Sequence, residues 1–578
     1  MSIKLNHIFV GSCLMVILGS GLAFAGENID KRKGRADRPL SIKVVPWGPS
    51  QAQVDAAKQR VVQSALVQNE LKGAKYRYLG FEYIDEGGDK NRASQPPTRF
   101  RTIFYDYTND RTLAAEGDFA GKEAVSTRWI LLEPGADGEE IKAAYRIVAK
   151  DSEFSDLKRM NKIEFYEAMP PVSNLNGERL VNIGVRNPDT GANQIVGVSF
   201  KNEKVIRYEN NAPPTSAATP EACGIQNANQ GSTGIGVAGQ VQFTVMQSGN
   251  PLWEMLVIRP SSSSGKSNER SGLEIRDVKY RGKSVLKRGH VPVLNVQYTT
   301  GCGPFRDWQY SEGFFNAPEA GSTNPAPGIR VLAAGQVATT AVETRNDTGN
   351  FQGVAIYTQD TGFGPEAVMV TEMDAGWYRY IMEWRFAPDG TIRPRYGFGS
   401  VTDSCVCLQR THHVYWRFDF DIVTPVNKIF QVERGRKFLT AVTNEAAIFR
   451  STQGNRRFLI QNSMGDEAYQ LTPGVNDGSV TNPLGMLTDT FGGGDFWLMR
   501  FQGTADSPNE LDDQNPPGTV AANFAPWINN ESLVNQDVVL WYAAHQTRVD
   551  DASRPDIAAP EVISGAHVVG PDLRPVRW

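Results

Sequence analysis

The chain has 578 residues, too many for one ordinary hydrophobic core, and its length points to two to four domains. Aromatic residues make up 10% of it, enough for large packed cores. With 60 basic and 64 acidic residues the formal charge is −4, which gives no electrostatic reason to expect a nucleic-acid partner.

Lys4 precedes an apolar run over residues 8–22, and Ala23-Phe24-Ala25 offers a small-x-small cleavage pattern. This reads as a signal peptide over 1–25, with cleavage after Ala25 and export to the periplasm or beyond. The run is short for a bilayer span of about 20 residues, and no second stretch is long enough, so no integral membrane segment is expected after cleavage. Cys223, Cys302, Cys405 and Cys407 remain in the mature chain. An oxidising compartment favours disulfides among them, although the C-x-C spacing of Cys405 and Cys407 also suits a metal site. Six histidines in all make each one informative.

Residues 26–45 are polar, basic and aperiodic, and are expected to form a flexible leader. The apolar positions Val54, Ala57, Val61, Val62 and Leu66 recur at helical spacing and predict a helix over 51–71. Alternating aromatic and β-branched residues then predict strands at 75–81, 101–105 and 112–116. The same order returns with a helix over 138–148 and strands at 162–167, 180–185, 195–200 and 204–209. Two small α+β domains, 46–130 and 131–210, are the natural division. Residues 211–234, rich in Asn, Pro, Ser, Thr, Ala and Gly, read as a linker. From 235 to 578 the apolar runs are short, alternating and punctuated by Gly and Pro, which predicts a large antiparallel β-sandwich.

Three segments of this C-terminal region carry a resemblance. The first is Gly376-Trp377-Tyr378-Arg379-Tyr380, running into Trp384-Arg385-Phe386 and an Asp389-Gly390 turn. The second is Thr411-His412-His413 followed by Arg417-Phe418-Asp419-Phe420-Asp421. The third runs from Asn535 through Asp537 and Trp541 to His545. Together they resemble the copper/topaquinone amine oxidases, whose catalytic domain is a β-sandwich. The early segment Phe104-Tyr105-Asp106-Tyr107 resembles the family's small N-terminal domains, so the match spans about 500 residues in order.

The resemblance implies oxidative deamination of a primary amine to an aldehyde, ammonia and hydrogen peroxide, carried out by a homodimer. It implies topaquinone formed from Tyr378, and copper held by His412 and His545 with His413 as the nearby reserve. It also implies calcium at Asp419, Asp421 and Asp537, three carboxylates suited to a hard cation. Four positions depart from the family pattern: Trp377 stands for Asn, Arg379 for an acid, Arg410 for the first copper histidine and Thr300 for the catalytic base. Asp307 is the candidate replacement base. Arg379 beside Tyr378 adds a positive charge suited to a substrate carrying a carboxylate. Adjacent His412 and His413 point to opposite faces of an ideal strand, so a shared ion requires a bulge. Two rival readings stand beside the oxidase. One is a non-catalytic exported binding or structural protein on the same scaffold. The other is an oxidoreductase with a different metal, drawing on Cys407, or a different tyrosine product.

Overall fold

The computed structural model describes residues 39–578 apart from 85–92, 132, 191, 209–222, 226–232, 235, 265–269, 299–301, 345, 361–363, 402, 404, 436–438, 452, 479–493, 502–527 and 549–567. The expected signal peptide, the first part of the leader, most of the 211–234 linker and Thr300 lie outside the described residues.

The first module begins with a helix over Gln51–Gln63, capped reciprocally by Ser50 and Gln53. It is interrupted at Ser64, whose extended backbone separates it from a short helix over Ala65–Glu70. The single helix expected from the periodicity is therefore two, because Ser64 leaves the helical region. The helices pack Val54, Ala57 and Val61 onto a four-stranded antiparallel meander running from Tyr76 to Ile130. The second module repeats this plan. Its helix Gly138–Val148 carries Asp137 as N-cap and lies against a second four-stranded sheet, from Glu164 to Arg207. A buried pair, Arg179 with Glu140, joins that helix to the sheet at 2.9 Å.

Leu40–Trp47, which takes in the end of the expected leader and the first two residues of the expected first domain, is instead a strand paired antiparallel with Gln240–Gln247 of the large domain. Alternate residues Leu40, Ile42 and Val44 pack on the main core, which explains why a sparse apolar pattern suffices.

The large domain is a predominantly antiparallel two-layer sandwich. Seven of its strands place the site: β1 (Lys283–Tyr298), β2 (Pro365–Ala375), β3 (Tyr378–Phe386), β4 (Ile392–Ser400), β5 (Arg410–Phe420), β6 (Phe496–Arg500) and β7 (Gln536–Arg548). In one layer β5 lies between β1 and β7, and β6 pairs with β7. In the other, β2, β3 and β4 form a meander. Between the layers sits a large core that includes Trp253, Trp384, Trp416 and Phe418, each fully buried. Among the described residues no helix is long and apolar enough to cross a membrane.

Candidate functional site

Tyr378 opens β3 immediately after a two-residue turn, Gly376-Trp377, that joins it to β2. Gly376 has φ of +59°, and a Cβ there would meet the Met169 sulfur at 2.6 Å, so glycine is what lets the turn close against the second module. Tyr378 is fully buried and faces β5 across the core. Its hydroxyl contacts the hydroxyl of Tyr298, which also accepts a hydrogen bond from the Trp377 indole nitrogen at 3.0 Å. Burial pushes the Tyr378 hydroxyl above the ordinary tyrosine range, and burial does the same to Tyr298.

His412 lies beside Tyr378, ring centroids 4.9 Å apart, and stacks on Phe398 of β4 at 4.3 Å. Arg410, two residues earlier on the same face of β5, holds its guanidinium 5.6 Å from the Tyr378 ring centroid. That guanidinium donates to the carbonyls of Val406 and Leu408 and to the Ser400 hydroxyl.

Asp307 follows a short strand, Phe305–Arg306, that pairs with β1, and its backbone N–H donates to the Leu294 carbonyl at 2.9 Å. Its carboxylate accepts a hydrogen bond from the Tyr380 hydroxyl. Burial pushes the Asp307 carboxyl up to about 8. Asp307, the expected replacement base, is thus a buried member of the tyrosine cluster, since Tyr380 stacks on Tyr378 at 5.3 Å.

His413 and His545 occupy the other face of the same layer. β5 and β7 pair in unbroken register from Arg410–Arg548 to Asp419–Val539, and His413 stands directly opposite His545. Their Nδ1 atoms are 2.7 Å apart. His413 Nε2 is 3.1 Å from Gln297 Oε1, and His545 Nε2 is 3.1 Å from Asp495 Oδ1. Burial, and then the neighbouring His545 ring, hold His413 well below the ordinary histidine range. With no bulge in β5, the structure brings His413 and His545 together and leaves His412 on the Tyr378 side.

Arg379, expected to add charge beside Tyr378, points to the opposite face of β3. There Asp347 takes it in a two-pronged ion pair at 2.8 and 2.9 Å, with Asp374 at 3.1 Å. Its charge is neutralised away from the tyrosine cluster. Cys407 is joined to Cys223 and Cys302 to Cys405, so neither thiol of the C-x-C pair is left to hold a metal. Asp419, Asp421 and Asp537 converge, each offering an oxygen within 4.8 Å of the others. Arg417 reaches Asp419 at 3.9 Å.

Sequence reasoning places Tyr378 and His412 but gives no role to Tyr298, Trp377, Tyr380 or Phe398, which build the cluster around them. The available signal is alternation: Tyr378 and Tyr380 share a face of one strand, and Phe398 pairs with Tyr380 on the next.

No sequence-family model matches this chain, and no curated protein matches it by sequence. Solved structures do match its fold. A copper-containing benzylamine oxidase from Hansenula polymorpha superposes with a TM-score of 0.55 at 13% identity, over 92% of this chain and 97% of that one. An amine oxidase from Aspergillus nidulans gives 0.56 at 14%, over 92% and 88%. A lysyl oxidase from Pichia pastoris gives 0.55 at 13%, over 92% and 90%. Nearly the whole chain, small modules and sandwich together, therefore has a copper amine oxidase-like fold.

Proposed function

We propose that this chain is an exported binding or structural protein that keeps the amine-oxidase scaffold without its copper/topaquinone reaction. One observation carries this reading: the Arg410 guanidinium lies against Tyr378 where the resemblance expects a copper histidine. A guanidinium has no lone pair to give a metal. Of the histidines expected to bind copper, His412 alone shares the Tyr378 face, because His413 and His545 turn the other way. A single imidazole beside a cation does not fit a type-two copper centre. Export is supported by the two disulfides, which persist in oxidising compartments. The resemblance adds a homodimer. It also adds calcium at Asp419, Asp421 and Asp537, whose converging oxygens suit that ion. Unchanged calcium content in an Asp419→Asn, Asp421→Asn double variant would remove the calcium assignment.

Asp307 favours a second reading, oxidation of a primary amine with Tyr378 converted to topaquinone. A buried carboxyl held at about 8 beside the tyrosine cluster is poised to take and return a proton near neutral pH. Peptide mass spectrometry of copper-loaded, aerated protein separates the two, together with peroxide release from a panel of primary amines. The expected outcome is an unmodified Tyr378 and no amine-dependent peroxide. A mass change on Tyr378 with amine-dependent peroxide establishes the oxidase instead. A different modified residue moves the chemistry to another tyrosine product.

A further inference from the structure

The outer face of β5 holds His413 and His545, which the resemblance groups with His412 around copper and which the strand register sets apart from it. Asn295 of β1, His413 of β5 and His545 of β7 stand directly opposite one another on three adjacent strands, so their side chains rise from one face. All three are buried: Asn295 is 0% exposed, His413 1% and His545 2%.

The acceptors at the two ends of the hydrogen-bond chain favour one placement of the ring hydrogens. Gln297 Oε1 is an amide oxygen and Asp495 Oδ1 a carboxylate oxygen, and each is an acceptor for the Nε2–H of the ring beside it. With both Nε2 atoms protonated, both neutral rings present a lone pair at Nδ1. Those two lone pairs face each other at 2.7 Å. They repel unless something positive sits between them. Next to them, neither Oδ1 nor Nδ2 of the fully buried Asn295 has a hydrogen-bond partner among the described residues. An orphaned buried amide on the same face is a further donor awaiting a ligand.

We propose that His413 and His545 bind one divalent cation through their Nδ1 atoms, with the Asn295 amide oxygen beside it, in a site separate from Tyr378. Imidazole donors select a borderline cation of the zinc or copper type over magnesium. The anchoring of each Nε2 by an oxygen is what orients metal-binding imidazoles elsewhere. A tetrahedral ion with bonds of about 2.0–2.1 Å sets its two nitrogens about 3.3 Å apart. The rings reach that separation by a small rotation.

The test is the metal content of the full chain purified from cultures supplied with zinc, and separately with copper, after dialysis against a mild chelator. Wild type is expected to retain about one ion per chain. His412→Asn, on the Tyr378 face, should retain it equally. His413→Asn and His545→Asn should each lower retention at least about tenfold, the scale of losing one ligand or its support. Metal-free wild type, or retention by His413→Asn, overturns the proposal, as does loss caused only by His412→Asn. If the outer-face variants fail to fold, X-ray absorption at the zinc edge of wild type decides. Two imidazoles in the first shell support the site, and fewer than two overturn it. A metal-free pair sharing a low-field proton is the remaining outcome, and it too overturns the proposal.

Discussion

Two faces of one strand handle their histidines in opposite ways. On the inner face of β5, His412 is packed as an aromatic ring between Phe398 and Tyr378, with the Arg410 cation two residues away. On the outer face, His413 sits in a polar chain from Gln297 through His545 to Asp495. One residue of sequence separates the two environments. Side chains alternate along a strand, so histidines at i and i+2 can share an ion while neighbours at i and i+1 cannot without a bulge. The Arg410-x-His412 spacing keeps the geometry of a chelating pair and changes its chemistry, whereas the His413–His545 pair has imidazole chemistry on the other side of the sheet.

The largest expected effect concerns what holds the inner face in place. The Cys302–Cys405 bridge ties the loop after Tyr298 to the turn before Arg410 and closes 103 residues of separation. Loop-closure entropy for a ring of that order is about 4.7 kcal/mol. Cys302→Ser with Cys405→Ser should lower the unfolding free energy by about that amount in urea titrations. It should also disturb inner-face aromatic signals in near-ultraviolet circular dichroism more than the NMR signals of His413 and His545. Equal disturbance of both faces would mean that the bridge stabilises the sandwich as a whole and does not specially secure the tyrosine cluster.

Arg410→Met sharpens the comparison next. Methionine matches much of the arginine volume but leaves the Val406 and Leu408 carbonyls without their buried donor. Each buried acceptor so stranded costs about 1–3 kcal/mol. Removing the desolvated charge returns part of that, so a net loss of about 2 kcal/mol is expected from chemical denaturation. Arg410→His in the same background asks whether an imidazole at this position recruits copper with His412. Copper uptake that then depends on His412 would show that Arg410 is what excludes the metal.

Much of the scaffold is legible because its signals are local. The helix over Gly138–Val148 has its acidic cap and apolar stripe in twelve consecutive residues, and the periodicity places it at those bounds. The resemblance, carried by short contiguous motifs, likewise points to β3 and to the segment carrying His412. What escapes depends on pairing at a distance. Leu40–Trp47 reads mostly as leader because its partner strand begins near Gln240, far along the chain. The resemblance groups His545 with His412, and only the β5–β7 register sets it opposite His413. The burial of Asp307 escapes because nothing adjacent to it in sequence shows that Tyr380 lies over it. The Arg379 reading fails for the same reason: Asp347 is 32 residues away along the chain and in direct contact in space.

Per pH unit the smallest effect is the one that reports most directly on the buried carboxyl of the inner face. In the folded chain burial raises Asp307 to about 8, while in the unfolded chain an aspartate titrates near about 4. Between those values the folded state keeps a proton that the unfolded state has given up. The contribution of this group to stability is therefore full below about pH 4, declines as pH rises, and levels off above about pH 8. An asparagine side chain at this position has no proton to lose and still offers Tyr380 an acceptor oxygen. The stability of Asp307→Asn relative to wild type should thus rise across that interval, by at most about 1.4 kcal/mol per pH unit. Urea midpoints of both proteins at about pH 5, 6.5 and 8 measure it. A difference that stays flat or falls would place an ionised carboxylate beside Tyr380 in the folded state. The inner face would then carry a buried negative charge to set against Arg410, and the proton-holding role that favours the oxidase reading would be lost.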